Sequence, residues 1–136
     1  MTFTYHSPVF FDEFDPNGHL HNARFAVHVE RAQTALFEQY DGPAAADARA
    51  EDLLYVVREL HCEFLAPVHT PGLLAVTLTG RSIGRTSATY EFTCGTGTIY
   101  ARGHRVIVKV DPATGRPAPW SDWYRTIFAE LSGATT

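Results

Sequence analysis

Aromatic and β-branched residues gather first in Thr2–Phe11, around Tyr5, Val9 and Phe10, and predict an opening strand. From Phe25 the spacing changes. Phe25, Val29, Ala32, Leu36 and Tyr40 recur at steps of four, three, four and four. That period predicts a helix running from the vicinity of Asn22 to Tyr40. Val27 and Phe37 fall off the stripe, so the helix is apolar on more than one side and calls for a sheet wrapped around it. Asp41-Gly42-Pro43 ends it, because glycine and proline cannot continue a helix cheaply. Ala44–Asp52 is an alanine-rich, charged connector compatible with a short helix.

Beyond it the pattern alternates. Leu53–Leu65 reads as a strand, closed by Ala66-Pro67 and Thr70-Pro71-Gly72. Leu74, Val76 and Leu78 alternate with Ala75, Thr77 and Thr79, as in a half-buried strand. After a hairpin at Ser82-Ile83-Gly84-Arg85, Tyr90, Phe92 and Cys94 alternate with Thr89, Glu91 and Thr93. Thr98–Val110, with Val106, Val108 and Val110 on one face, is the last strand. A Pro/Gly-rich loop follows, and Ser121 is placed to cap a short helix reaching Glu130. One strand, a long helix and four strands with short turns predict an α+β domain: a five-stranded antiparallel sheet around one central helix. Such a sheet has open edges, and pairing them across a two-fold axis would remove that liability, so a homodimer is expected.

At 136 residues the chain fits one domain, 1–136, large enough for a core without staples. A net charge of −4, one lysine (Lys109) and ten scattered arginines argue against a nucleic-acid partner. Cys62 and Cys94 match no metal or redox spacing and read as small buried side chains. No apolar run reaches the length of a membrane span and no leader pattern opens the chain, so no membrane partner and a cytoplasmic location are expected.

The chemistry concentrates in Phe10–Phe25, where Phe14-Asp15-Pro16-Asn17-Gly18-His19-Leu20-His21-Asn22 links the first strand to the helix. Helix-start amides lack intrahelical partners and carry partial positive charge. A carboxylate delivered there, Asp15, is suited to attack or hydrolyse an acyl group. Ordinary turn chemistry accounts for Asp, Pro, Asn and Gly in the same places.

These residues, with Phe25 and Val29-Glu30-Arg31-Ala32, resemble the hotdog-fold acyl-CoA thioesterases of the 4-hydroxybenzoyl-CoA thioesterase type. Asp15, Gly18, His19, Leu20, Asn22 and Phe25 occupy the family's motif positions, and Phe64–Val68, Gly84–Ser87 and Tyr100–Gly103 agree with its second half. The resemblance runs from about Tyr5 to Pro119. It implies a hotdog fold, a dimer or dimer of dimers, and hydrolysis of an acyl-CoA or acyl-carrier-protein thioester. Coenzyme A would enter as part of the substrate, with no separate cofactor.

The resemblance implies a catalytic role for Asp15, as nucleophile or as general base, with Gly18, His19 and Asn22 beside it. Amides around Asn22 and Ala23 are then the oxyanion site. Asn22 either positions the acyl group or a water, or caps the helix. Arg85, Thr86 and Ser87 are implied contacts of the coenzyme A moiety, although hairpin chemistry explains them without a ligand. Glu30, about 12 Å along the helix from Asn22, is read as structural. His19, His21, His28, His61, His69 and His104 invite a metal site, but spacing names no complete ligand set and none is expected. Thr70-Pro71-Gly72 and His21 depart from the commonest family pattern near the acyl pocket. Two alternatives share the fold: a non-catalytic acyl-CoA-binding or sensor protein, and a hydratase or dehydratase.

Overall fold

Backbone hydrogen bonding at the first turn decides where the opening strand stops. The computed structural model describes residues 1–39 and 54–132. Strand β1 (Phe3–Val9) ends two residues short of the sequence expectation, because a 3₁₀ turn takes over at Phe11–Glu13. The Glu13 amide donates to the Phe10 carbonyl at 3.1 Å, and the Phe10 amide donates to Glu13 Oε2 at 2.7 Å. Helix α1 spans Arg24–Gln39, and four strands follow: β2 (Tyr55–Phe64), β3 (Gly72–Ile83), β4 (Ser87–Cys94) and β5 (Ala101–Lys109). Helix α2 (Asp122–Ser132) closes the described chain, with Ser121 Oγ accepting the Tyr124 amide at 3.2 Å as the sequence anticipated. Tyr40, the Asp41-Gly42-Pro43 stop and the Ala44–Asp52 connector lie outside the described residues.

The strands form one antiparallel sheet in the order β1-β3-β4-β5-β2, with α1 packed on it. The alternation read from the sequence falls as expected: Leu74, Val76, Leu78, Tyr90, Phe92 and Cys94 are all buried. On α1 the stripe Phe25, Val29, Ala32 and Leu36 faces the sheet, and Phe37 packs toward α2 through Trp123 and Tyr124. Enclosure of the helix is less complete than its sequence suggested. Glu30, Arg31, Thr34 and Glu38 form an exposed face, and Val27 stays 36% exposed beside them. Tyr90, Trp120, Tyr124 and Phe128 build an aromatic core at the C-terminal end of α1, where the Tyr90 and Tyr124 hydroxyls share a hydrogen bond.

Strand β2 lies at an edge of the sheet and exposes Val56, Val57, Leu60 and Phe64, each between 45 and 53% accessible. Its inner neighbour β5 approaches it closely at Gly103. A Cβ there would sit 1.8 Å from the His61 carbonyl oxygen. Gly103→Ala is therefore expected to cost about 2–3 kcal/mol of stability by forcing the β2–β5 seam apart. A urea midpoint equal to that of the parent protein would contradict this close packing.

Candidate active site

Residues 14–23 separate the 3₁₀ turn from α1, and their main chain folds back on itself. Phe14 bridges to Leu20, the Asp15 amide donates to the His19 carbonyl at 2.8 Å, and the Gly18 amide donates to the Asp15 carbonyl at 2.9 Å. Gly18 holds φ at +75°, a left-handed conformation that glycine adopts without steric penalty. The loop presents the Asp15 carboxylate in one orientation. Its Oδ1 accepts the amides of Asn17 at 2.9 Å and His19 at 3.2 Å, and Oδ2 has no partner among the described residues.

Asp15, His19 and Asn22 border one open cleft of about 410 Å³, walled by Phe25, by Phe64 at the end of β2 and by Leu65–Pro67 after it. Asn22 and Phe64 also border a narrower apolar cavity of about 180 Å³ between α1 and β2, with Ala26, Leu60, Cys62 and Phe92 on its walls. A polar mouth thus adjoins an apolar pocket, the arrangement suited to a ligand with one charged and one greasy part. Burial and then the Glu63 carboxylate push the Cys62 pKa up, which disfavours the thiolate there.

The amides at the helix start are divided differently from the sequence expectation. Ala23 donates to His21 Nδ1 at 3.2 Å, and Arg24 and Phe25 donate to the His21 and Asn22 carbonyls. Asn22 keeps an unpartnered main-chain amide among the described residues. His21, not Asn22, supplies the capping acceptor, so the alternative of Asn22 as a helix cap is corrected. Of the two amides anticipated as an oxyanion site, only that of Asn22 is open.

Arg85, Thr86 and Ser87 are not brought to this cleft within one chain. They form the β3–β4 turn, at the other end of β3 from Gly72, which pairs with Val9 just before the Asp15 loop. Eleven steps of strand separate the two ends by on the order of 36 Å. The Gly84 and Arg85 carbonyls are engaged instead by Arg125 of α2, at 3.0 and 3.4 Å. Glu30 lies 3.6 Å from the Arg105 guanidinium and borders a different cavity from Asp15. The histidines are dispersed. His19 meets His69 edge-on, His61 stacks on His104, and among the described residues no group of three or more His, Cys, Asp or Glu is placed to hold a metal.

One polar cluster gave no sequence signal. Ser7, Glu13 and His28 are 0, 5 and 0% exposed, and they come from β1, the 3₁₀ turn and α1. His28 Nε2 lies 2.8 Å from Glu13 Oε1, and its Nδ1 lies 2.5 Å from Ser7 Oγ. Burial opposes the Glu13 charge, but the Phe10 amide and the His28 ring outweigh it and hold the carboxyl below its ordinary range. Burial also lowers the His28 pKa, helped by Arg31 and Arg24 and opposed by Glu13.

A family model described as the thioesterase-like superfamily matches residues 9–128. The chain belongs to that superfamily. No curated protein matches it. Among solved structures, it is similar to a thioesterase from Thermus thermophilus complexed with coenzyme A and zinc: 27% identity over 96% of this chain and 93% of that one, TM-score 0.79. Two more distant neighbours share the fold. A 1,4-dihydroxy-2-naphthoyl-CoA thioesterase from Synechocystis is 18% identical over 96% of this chain and 98% of its own, TM-score 0.80. A DHNA-CoA thioesterase from Staphylococcus aureus is 12% identical over 98% and 93%, TM-score 0.83. The superfamily's hotdog architecture is the five-stranded antiparallel sheet with α1 packed on it, as described above.

The buried Glu13–His28 pair sets a pH dependence of folding. Both folded-state pKa values lie below the ordinary ones, so the unfolded chain takes up protons first as pH falls. Stability contributed by neutral His28 is complete above its ordinary 6.5 and declines below it. That from ionised Glu13 is complete above 4.5 and is lost as pH falls through the lowered value. Urea midpoints should fall from pH 7.5 to 5, and His28→Phe should flatten that segment. A parent midpoint rising between pH 7.5 and 5 would contradict the assignment.

Proposed function

We propose that this protein hydrolyses acyl-CoA thioesters, with Asp15 as the reacting carboxylate. Superfamily membership and the 27%-identical thioesterase support thioester hydrolysis as the class of reaction. The observation that carries the residue assignment is the single cleft bordered by Asp15, with Oδ2 free, and by Asn22, with its amide free. A thioester carbonyl between them would receive an oxyanion donor from the Asn22 amide. Oδ2 would then attack the carbonyl carbon, giving a mixed anhydride that water cleaves, or take a proton from an attacking water. Either route releases the coenzyme A thiol and a carboxylic acid. The acyl group enters the apolar cavity beside Ala26 and Phe92. His19 shapes the polar mouth and its amide helps orient Asp15. Gly18 supplies the loop's left-handed turn.

The hairpin Arg85, Thr86 and Ser87 can serve this reaction only from a second chain, which also gives the exposed β2 edge an occupant. Tyr55 pairs with Lys109, and Ser87 with Val108, so the hairpin lies at the Tyr55 end of β2. Antiparallel pairing of β2 with its copy sets that end beside Phe64 of the other chain, next to its Asp15 cleft. Arg85 of the partner subunit is then the cation for a coenzyme A phosphate. The homodimer is part of this proposal, as is a cytoplasmic location; among the described residues no helix is long and apolar enough to cross a membrane.

The test is thiol release from a panel of acyl-CoAs of increasing chain length, with Asp15→Asn as control. The variant should fold normally and lose at least about 100-fold in kcat, in line with the 10²–10⁴ typical of a positioned carboxylate. Near-normal turnover in Asp15→Asn would remove Asp15 from the mechanism. Tight binding of acyl-CoA without thiol release from the parent protein would favour the sensor.

A further inference from the structure

A serine, a histidine and a glutamate in one hydrogen-bonded line suggest a nucleophile relay, but the burial of Ser7 excludes that use. Ser7 is fully buried on the inner face of β1 and borders none of the cavities described above. No substrate carbonyl can reach its hydroxyl. With Glu13 ionised and His28 neutral, Nε2–H donates to Glu13 Oε1 and Nδ1 accepts the Ser7 hydroxyl proton. The remaining Glu13 oxygen, Oε2, accepts the Phe10 amide at 2.7 Å. Every member of the line is thereby partnered, as a buried polar network must be to avoid a penalty of about 1–3 kcal/mol per orphaned group.

Glu13 has a second hold on its surroundings through the main chain. Its carbonyl accepts the His21 amide at 3.0 Å. Residue 13 is therefore tied by its side chain to α1 and, through His28, to Ser7 of β1, and by its backbone to the residue preceding Asn22. The two segments it joins flank the loop that carries Asp15 at one end and Asn22 at the other.

We propose that Ser7, His28 and Glu13 are positioning residues: their buried line locks the 3₁₀ turn to helix α1 and β1 and so sets the distance between the Asp15 carboxylate and the Asn22 amide. This rests on the function proposed above only in its catalytic consequence. Apolar side chains of matching size would fill the same volume, and replacing a buried polar or ionic cluster by them is often neutral or stabilising. They would not fix the azimuth of the 3₁₀ turn, because dispersion contacts lack the directionality of an imidazole bound on both nitrogens.

That difference defines the test. His28→Phe alone strands the Glu13 carboxylate and should lose stability together with loop order. The paired variant Glu13→Leu/His28→Phe, carried with Ser7→Ala so that the buried hydroxyl is not stranded in its turn, removes the stranded charge and should recover the urea midpoint. Amide hydrogen exchange, followed by NMR on the full chain, then reads the loop directly. In the paired variant the Asp15 and His21 amides should exchange at least about tenfold faster, with rates in α2 unchanged. kcat on the best acyl-CoA should stay about tenfold or more below the parent, with KM within about threefold. Exchange at Asp15 and His21 matching the parent overturns the proposal, as does full recovery of kcat along with stability. If the paired variant fails to recover stability, Ser7→Ala with Glu13→Gln supplies the same comparison. If the parent hydrolyses no acyl-CoA, the thioesterase reading falls, and the exchange rates still decide whether the line holds the loop.

Discussion

Helix α1 is held in register on the sheet by a stripe of Phe25, Val29, Ala32 and Leu36, all at most 4% exposed, and the position of its first turn depends on that seat. The aromatic core at its C-terminal end, built with α2, pins one end. At the other end the pinning is polar, through His28 to Glu13 and Ser7. Between those two anchors the helix has no freedom to slide. Its N-terminal amides therefore face a fixed place: the junction between the Asp15 loop and the residues that follow β2. Cleft and apolar cavity both follow from that one placement.

The division of hydrogen bonds in the loop has a chemical consequence. Two amides engage the same oxygen of Asp15, which orients the carboxylate and leaves its second oxygen uncommitted. The amides of His21, Ala23, Arg24 and Phe25 are each committed to the loop or the first turn, and Asn22 is left over. Among the described residues, an uncommitted carboxylate oxygen and an uncommitted amide are thus separated by a defined piece of main chain. The apolar cavity beside them is bounded by β2, whose outer edge carries exposed Val56 and Val57. In the proposed reaction one chain builds the reacting groups, and the hairpin at Arg85 serves it from a second chain.

Period and alternation were strong enough in the sequence to place α1 and the strands within a few residues, because each face is either core or solvent. The Asp15 loop was legible for a related reason: Asp, Pro, Asn and Gly have specific turn preferences, and the family motif overlays them. Element ends were less legible. The 3₁₀ turn depends on the Glu13 side chain folding back to Phe10, and the helix start depends on a histidine ring acting as a cap; neither has a spacing signature. The polar face of α1 was hidden because Val27 and Phe37 broadened the apolar stripe without closing it. Ser7, Glu13 and His28 were unreadable as a unit, since β1, the turn and α1 meet only in three dimensions. The distance of the Arg85 hairpin from Asp15 within one chain was hidden too, because strand length, not sequence distance, sets it.

The central claim is that one thioester carbonyl sits between the Asp15 carboxylate and the Asn22 amide. Its most direct test is a crystal structure with a non-hydrolysable acyl-CoA ketone, in which a methylene replaces the thioester sulfur. The account predicts the ketone oxygen at about 2.7–3.1 Å from the Asn22 amide, the carbonyl carbon facing Asp15 Oδ2, and the acyl chain between α1 and β2. A ketone seated away from the Asp15 loop, or with its oxygen turned from the helix start, would contradict it.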